Sequence, residues 1–242
     1  MSLNLNPLVS GRRLLAPDFT RVFGNPDLLS AVNVKDSSGK SRTDLLTFKF
    51  QQRLPRVTLQ VHYTLAGAYS YGGSWGARAG SGTPQSAMDP LGPGEWGPTG
   101  QDERHRVVAT GVFDLAYGIQ LSPVFQAASP RPYNLTTGTD LNADGNNNDR
   151  WIDTATGKQV SINAGRGHNT VVLDVRATKF FDLGRERKIG TFVEIFNALN
   201  NANFGGSYTG NSRSVLFRQP SGTLIPGIGY PRQVQLGARF LF

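Results

Sequence analysis

Gln233-Val234-Gln235-Leu236-Gly237-Ala238-Arg239-Phe240-Leu241-Phe242 decides how the rest of the chain is read. Val234, Leu236, Ala238, Phe240 and Phe242 fall on one face; Gln233, Gln235, Gly237, Arg239 and Leu241 fall on the other. A period of two belongs to a β-strand, whose successive side chains point to opposite sides. One apolar face, one largely polar face and a closing aromatic suit a strand set between hydrocarbon and a polar lumen. The consequence is a choice of solvent. If the apolar face meets acyl chains, the whole chain must be read as a membrane barrel.

The same period recurs upstream. Val57, Leu59, Val61, Tyr63 and Leu65 share a face against Thr58, Gln60, His62 and Thr64, and the strand extends to about Tyr71. Leu46, Phe48 and Phe50 alternate with Thr47, Lys49 and Gln51, and the intervening turn at Leu54 and Pro55 makes a hairpin. Further strands are expected over 104–117, 119–128, 171–178 and 188–197, with a weaker one at about 28–35. That is roughly eight strands. Turns at 54–55, 118 and 182–186 are short, whereas 72–102, 131–169 and 198–231 are long, unpatterned and rich in Gly, Asn, Pro and Ser. Short and long connections alternate. An up-and-down membrane barrel does this, because one set of connections is periplasmic and the other extracellular. The expected fold is therefore all-β, an antiparallel up-and-down transmembrane β-barrel with long extracellular loops. An irregular N-terminal segment, 1–27, precedes a barrel portion, 28–242. Aromatics near strand ends (Tyr69, Tyr71, Tyr117, Phe180, Phe181, Phe240, Phe242) are expected to form interfacial girdles.

Composition agrees. Hydrophobic residues make up 38% of the 242, and no apolar run approaches the roughly 20 residues a spanning helix needs. The 29 glycines and 14 prolines favour turns over long helices. With no cysteine, disulfides and thiolate metal sites are excluded. The +8 charge is scattered, with no basic run interleaved with aromatics, which argues against nucleic acid. It is assigned to loops facing an anionic membrane surface (Arg78, Arg131, Arg150, Arg166, Arg213, Arg218) and to a basic lumen (Lys49, Arg106, Arg176, Arg239). The N-terminus lacks the features of a secretion signal, so the chain is expected to be a fragment of something longer or a mature form.

Several segments resemble the C-terminal part of a TonB-dependent receptor of the Oar-like group. They are Asp102-Glu103-Arg104-His105-Arg106 entering a strand, the loop from Asp140 to Arg150, Phe192-Val193-Glu194-Ile195-Phe196-Asn197-Ala198-Leu199-Asn200 with Asn203-Phe204-Gly205, and Pro231-Arg232-Gln233-Val234 running to Phe240. Together they span about residues 40–242. The resemblance implies a barrel of about 22 strands with an N-terminal plug, of which this chain would be roughly the last third. Its partners would be outer-membrane lipid, a substrate that is a small molecule, glycan or peptide, and a TonB-type energising complex engaged through N-terminal parts that this chain does not contain.

One loop carries a metal signal. Asp140-x-Asn142-x-Asp144-Gly145 has calcium-loop spacing, with oxygen ligands at positions one, three and five, a turn glycine at six and the Asn146 carbonyl at seven. Trp151 stands where the last acidic ligand usually sits, so Asp149 or Asp153 must substitute. The alternative is an Asn/Gly-rich loop whose side chains satisfy local turns. Calcium is the one cofactor expected. Trp75, Trp96 and Trp151 are the loop aromatics proposed to bind ligand. The three histidines lie in separate segments, and no acid–base pair, nucleophile elbow or phosphate loop is present, so no enzyme is expected. Two other readings stand beside the receptor: a self-contained small barrel acting as a pore or adhesin, and a secreted, calcium-dependent β-sandwich.

Overall fold

The structure is a computed structural model. It describes every residue except 1, 5, 7, 10, 11, 27–32, 36, 73–83, 87, 185, 186, 205–207, 222–228 and 242. Seven long strands make one sheet: β1 (Ser41–Leu54), β2 (Val57–Tyr71), β3 (His105–Asp114), β4 (Ile119–Ala128), β5 (Thr170–Asp182), β6 (Lys188–Phe196) and β7 (Gln233–Leu241). Each pairs antiparallel with the next in chain order. A short strand, Trp96–Pro98, pairs with Tyr69–Tyr71 of β2, beyond the point where β3 begins, and is the eighth member.

Register turns the separate alternations into a single surface, because residues directly opposite on paired strands point to the same side. Phe48 lies opposite Tyr63, Tyr63 opposite Val107, Ala109 opposite Phe125 and Phe125 opposite Leu173. Val175 lies opposite Ile195, and Ile195 opposite Val234. The apolar positions thus form one continuous face across all seven strands. Phe48, Phe50, Val234, Leu236 and Phe240 are each more than half exposed on it. Among the described residues no second sheet covers this face, which removes the β-sandwich. The opposite face carries Lys49, Gln60, Arg106, Gln126, Arg176, Glu194, Gln235 and Arg239. Gly237 lies opposite Phe192 on that inner face, and the Phe192 ring occupies the space a Cβ at Gly237 would need. The Arg176 guanidinium stacks 3.8 Å from the same ring.

The three tight turns lie at one end of the sheet, where β7 also ends with Leu241 opposite Lys188. Between β3 and β4 the chain reverses through Tyr117 (φ 60°) and Gly118 (φ 69°), and the Leu115 N–H donates to the Ile119 carbonyl at 2.7 Å. The connections 72–104, 129–169 and 197–232 all lie at the other end. β1 and β7 therefore run in the same direction, from the loop end to the turn end. Among the described residues neither has a partner on its outer edge.

Three expectations change in detail. Of the strand expected at 28–35, residues 28–32 lie outside the described residues; Asn33–Lys35 is a strand and pairs with Ser2–Asn4 outside the main sheet. Phe180 is not a girdle residue. It lies opposite Gly190 on the inner face, and its neighbour Phe181 faces outward with Ile189 and Phe240. Phe242 lies outside the described residues. The segment 1–27, expected to be irregular, carries one helix, Ala16–Phe23. Proline in its first turn needs no N–H donor there, Asp18 and Arg21 suit the two ends of the helix dipole, and Gly24 closes it at φ 68°.

Among the described residues buried apolar side chains are few: Ala128, Tyr133, Leu135, Ile162 and Val172. All belong to the second long loop or the adjoining strand ends. The packed core of this protein lies among its loops, and the sheet itself is a wall between two solvents.

Candidate functional site: the interlocked loops

The long loops, unpatterned in sequence, are folded onto one another. Arg150 of the second loop donates from Nη2 to both carboxylate oxygens of Glu95 in the first, at 2.9 and 2.8 Å, with side-chain exposures of 2% and 3%. Glu95 Oε1 also accepts the Gln85 N–H at 2.8 Å. Pro84 and Gln85 are gripped from the second loop: the Asn142 amide donates to the Gln85 carbonyl, the Asn148 amide to the Pro84 carbonyl (both 2.7 Å), and the Arg150 N–H to Gln85 Oε1 at 3.2 Å. The third loop joins through Tyr208. Its hydroxyl meets His168 Nδ1 at 2.6 Å and its ring stacks on Tyr133 at 5.0 Å. Burial, with a contribution from Tyr208, pushes the Tyr133 phenol above its ordinary value of 10.0, and Arg218 opposes the rise.

The quoted segments acquire roles here. Asp102 takes Arg166 on one carboxylate oxygen and the Ala68 N–H on the other. Glu103 takes Arg131 at 2.7 Å and Arg106 at 2.8 Å, and Arg104 donates to the Tyr69 hydroxyl at 2.7 Å. The run 102–106 is thus an ion-paired root where two loops meet β3. In the run 192–200, Asn197 and Asn200 adopt left-handed backbone (φ 47° and 56°), which asparagine tolerates better than most residues. The Asn197 amide donates to the Asn201 and Tyr230 carbonyls, fastening both ends of the third loop. Asn203, 1% exposed, accepts the Val171 N–H. Sequence reading saw these asparagines as motif letters; their positions just past a strand end are the signal for a capping role.

The loop cations are also reassigned. Arg131, Arg150 and Arg166 neutralise Glu103, Glu95 and Asp102 and do not form a free basic surface. Arg78 lies outside the described residues.

The candidate ligand-binding tryptophans do not converge. Trp75 lies outside the described residues. Trp96 sits opposite Tyr71 and stacks near Tyr69 and Tyr71, so it belongs to the outward-facing aromatic group at the loop end of β2. Trp151 packs against Phe217 at 5.6 Å with the Arg218 guanidinium 4.7 Å from its ring, bridging the second and third loops. A cavity of about 260 Å³ opens instead on the inner face beneath the first loop, lined by Thr43, Thr64, Ala66, Gln101, Glu103 and Arg106.

The 140–149 loop is built on its own oxygens. Asp140 accepts the Asp144 N–H on Oδ1 (3.1 Å) and the Gly145 N–H on Oδ2 (2.8 Å). Asn142 Oδ1 also accepts the Asp144 N–H, and Asp144 Oδ1 accepts the Asn146 N–H. Ala143 (φ 58°) and Gly145 (φ 88°) are left-handed, which curls the run around these side chains. Asp149, fully buried, accepts the Leu141 and Asn142 N–H groups on Oδ2. Among the described residues no three His, Cys, Asp or Glu side chains form a metal cluster by themselves. Any cation here requires amide and carbonyl oxygens as well.

The model of the outer membrane beta barrel domain matches residues 2–162, and the chain belongs to that family. The match begins inside the N-terminal segment and runs through the first four long strands. No curated protein and no solved structure gives a match. Membership fixes the surroundings: the protein resides in the bacterial outer membrane, the continuous apolar face meets lipid, and the long loops are extracellular.

Proposed function

We propose that the chain is the C-terminal barrel portion of a TonB-dependent receptor, supplying part of the lumen wall and extracellular loops for substrate uptake. The observation that carries this reading is the direction of the two edge strands. Closing β1 onto β7 would set two parallel strands side by side, whereas single-chain bacterial barrels have an even number of antiparallel strands. Unpaired edges in hydrocarbon leave backbone groups unsatisfied, at several kcal/mol each. An odd number of further strands, which a larger barrel supplies, removes both difficulties. The same parity disfavours a self-contained pore or adhesin built from these seven strands alone. Further support comes from the charged inner wall, the loop-end cavity on that wall, and the segments 102–106 and 192–200, whose resemblance to the receptors now coincides with loop-anchoring roles. The reading assigns the chain no catalytic chemistry.

The test is edge pairing in the native outer membrane. Cysteines are placed at Phe48 of β1 and, in turn, at Val234, Leu236 and Ala238 of β7, and the membranes are oxidised. The reading expects no β1–β7 disulfide, and expects the Phe48 cysteine to form a disulfide instead with a cysteine introduced on a strand from outside residues 41–241. A β1–β7 disulfide within one chain would refute it.

A further inference from the structure

We propose that Arg104 and the Tyr69 hydroxyl hold the phosphate of an outer-leaflet lipid, in a groove over Gly67 where the lipid face of the barrel meets its loops. Register sets the level. On the outward side β1 reads Phe50, Phe48 and Leu46, then turns to Asp44 and Arg42. Beside them β2 reads Val61, Tyr63 and Leu65, then Gly67 opposite Asp44 and Tyr69 opposite Arg42. The apolar band therefore stops at one height on both strands, and charge begins one outward position higher. Tyr71 and its partner Trp96 continue the aromatic border there. The loops at this end are extracellular, so the border meets the headgroups of the outer leaflet.

Arg104 is the charge left over at that border. Its guanidinium lies on the outward side, where a Cβ at Gly67 would stand 3.2 Å from Arg104 Nη1. The missing side chain gives the guanidinium its place on the strand. Nη2 donates to the Tyr69 hydroxyl at 2.7 Å, and Cζ stands 5.9 Å from the centre of the Tyr69 ring. Among the described residues no carboxylate pairs with Arg104. Arg42 and Asp44 pair with each other at 2.8 Å and cancel. Lys40, whose carbonyl accepts the Tyr71 N–H, adds a second positive charge at the same end.

A groove of about 250 Å³ joins these groups, with Asp44, Leu46, Leu65, Gly67, Tyr69 and Arg104 in its lining. The lining passes from two leucines to a cation and a phenol, which is the order of acyl chain and headgroup in a lipid. Arginine keeps its charge and presents a planar fork that matches phosphate oxygens. The Nε and Nη1 hydrogens of Arg104 are not used on Tyr69. The Tyr69 hydroxyl, having accepted from Nη2, keeps its own hydrogen to donate. Both residues thus offer donors to one anion. The site needs only the outer-membrane setting and is the same whether the barrel is a receptor or a pore.

The experiment uses protein extracted from outer membranes, with every tryptophan except Trp96 replaced by phenylalanine, in phosphatidylcholine nanodiscs. Trp96 lies 6.4 Å from the Tyr69 ring and 5.1 Å from the Tyr71 ring, so it reports lipid in the groove. Its fluorescence is quenched with chain-brominated phosphatidic acid or, separately, chain-brominated phosphatidylcholine. Phosphatidic acid should quench at a mole fraction about fivefold lower, the effect of one basic residue near an anionic surface. Arg104→Gln should remove most of that preference. Asp44→Asn, which frees Arg42, should raise it at least about twofold, a gain that a merely disturbed strand end would not produce. Arg213→Gln, in an exposed part of the third loop, should leave it unchanged. Equal quenching by the two lipids in the otherwise unaltered protein overturns the site. So does a preference that survives Arg104→Gln, that Asp44→Asn fails to raise, or that Arg213→Gln lowers as far as Arg104→Gln does.

Discussion

Replacing Arg150 with methionine isolates the contact on which the loop assembly rests. Arg150 reaches both oxygens of Glu95 at 2.9 and 2.8 Å with both side chains almost wholly buried. Arg150→Met keeps much of the side-chain volume and leaves the Glu95 carboxylate buried with, among the described residues, the Gln85 amide as its donor. Removing one partner of a buried pair costs about 3–5 kcal/mol. That cost falls on loop docking and not on the sheet, so a global melting temperature is the wrong readout. Native-state amide exchange reads it locally at Trp151, Val160 and Ile162, whose N–H groups bond the Leu135, Trp151 and Gly94 carbonyls. At about 1.4 kcal/mol per factor of ten, exchange should quicken by about a hundredfold to a few thousandfold. Adding Glu95→Leu removes the stranded charge, leaving chiefly the loss of the Gln85 hydrogen bond at about 1 kcal/mol, so the double variant should recover most of the protection. If Arg150→Met leaves these amides exchanging at the wild-type rate, or if the double variant is as open as the single, the clamp does not organise the loops.

Other expectations follow from the same geometry. Leu236→Arg, near the middle of the lipid face of β7, should destabilise the folded barrel by about 2–4 kcal/mol in refolding titrations, whereas Gln235→Arg on the inner face should cost little. Gly237→Val should cost about 1–3 kcal/mol by displacing the Phe192 ring pinned under Arg176, and Phe192→Ala should relieve the clash. The raised Tyr133 phenol stays protonated in the folded loops at a pH where the unfolded one ionises. Loop stability should therefore hold below pH 10 and fall as pH rises beyond it, and Tyr133→Phe should abolish that fall when followed by amide exchange.

The sheet was legible because a lipid-facing strand must alternate, and alternation survives without knowledge of its partners. Leu46 to Phe50, Val57 to Leu65 and Val234 to Phe240 each read correctly alone, and register merely joined them. The parity of the short and long connections was equally visible. What the pattern could not give was local: nothing in Asn33–Lys35 announced its pairing with Ser2–Asn4 outside the main sheet, and Phe180 and Phe181 differ in face although both are aromatic. The loops were opaque for a physical reason. Their order comes from single long-range contacts, such as Arg150 with Glu95 and Asn163 with the Pro98 carbonyl at 2.8 Å, which leave no period in the sequence. For Trp96 nothing in the sequence signalled its face, and its pairing with Tyr71 places it with the outward-facing aromatics.

The central claim is that one face of the seven strands touches acyl chains. The chain has no cysteine, so single nitroxide labels can be placed without background. Labels at Phe48, Phe125, Val193 and Leu236 should collide freely with oxygen dissolved in the bilayer and be shielded from a water-soluble nickel complex, while labels at Lys49, Gln126, Glu194 and Gln235 should show the reverse. Outward labels that are inaccessible to both reagents, as in a dry protein interior, would contradict the account.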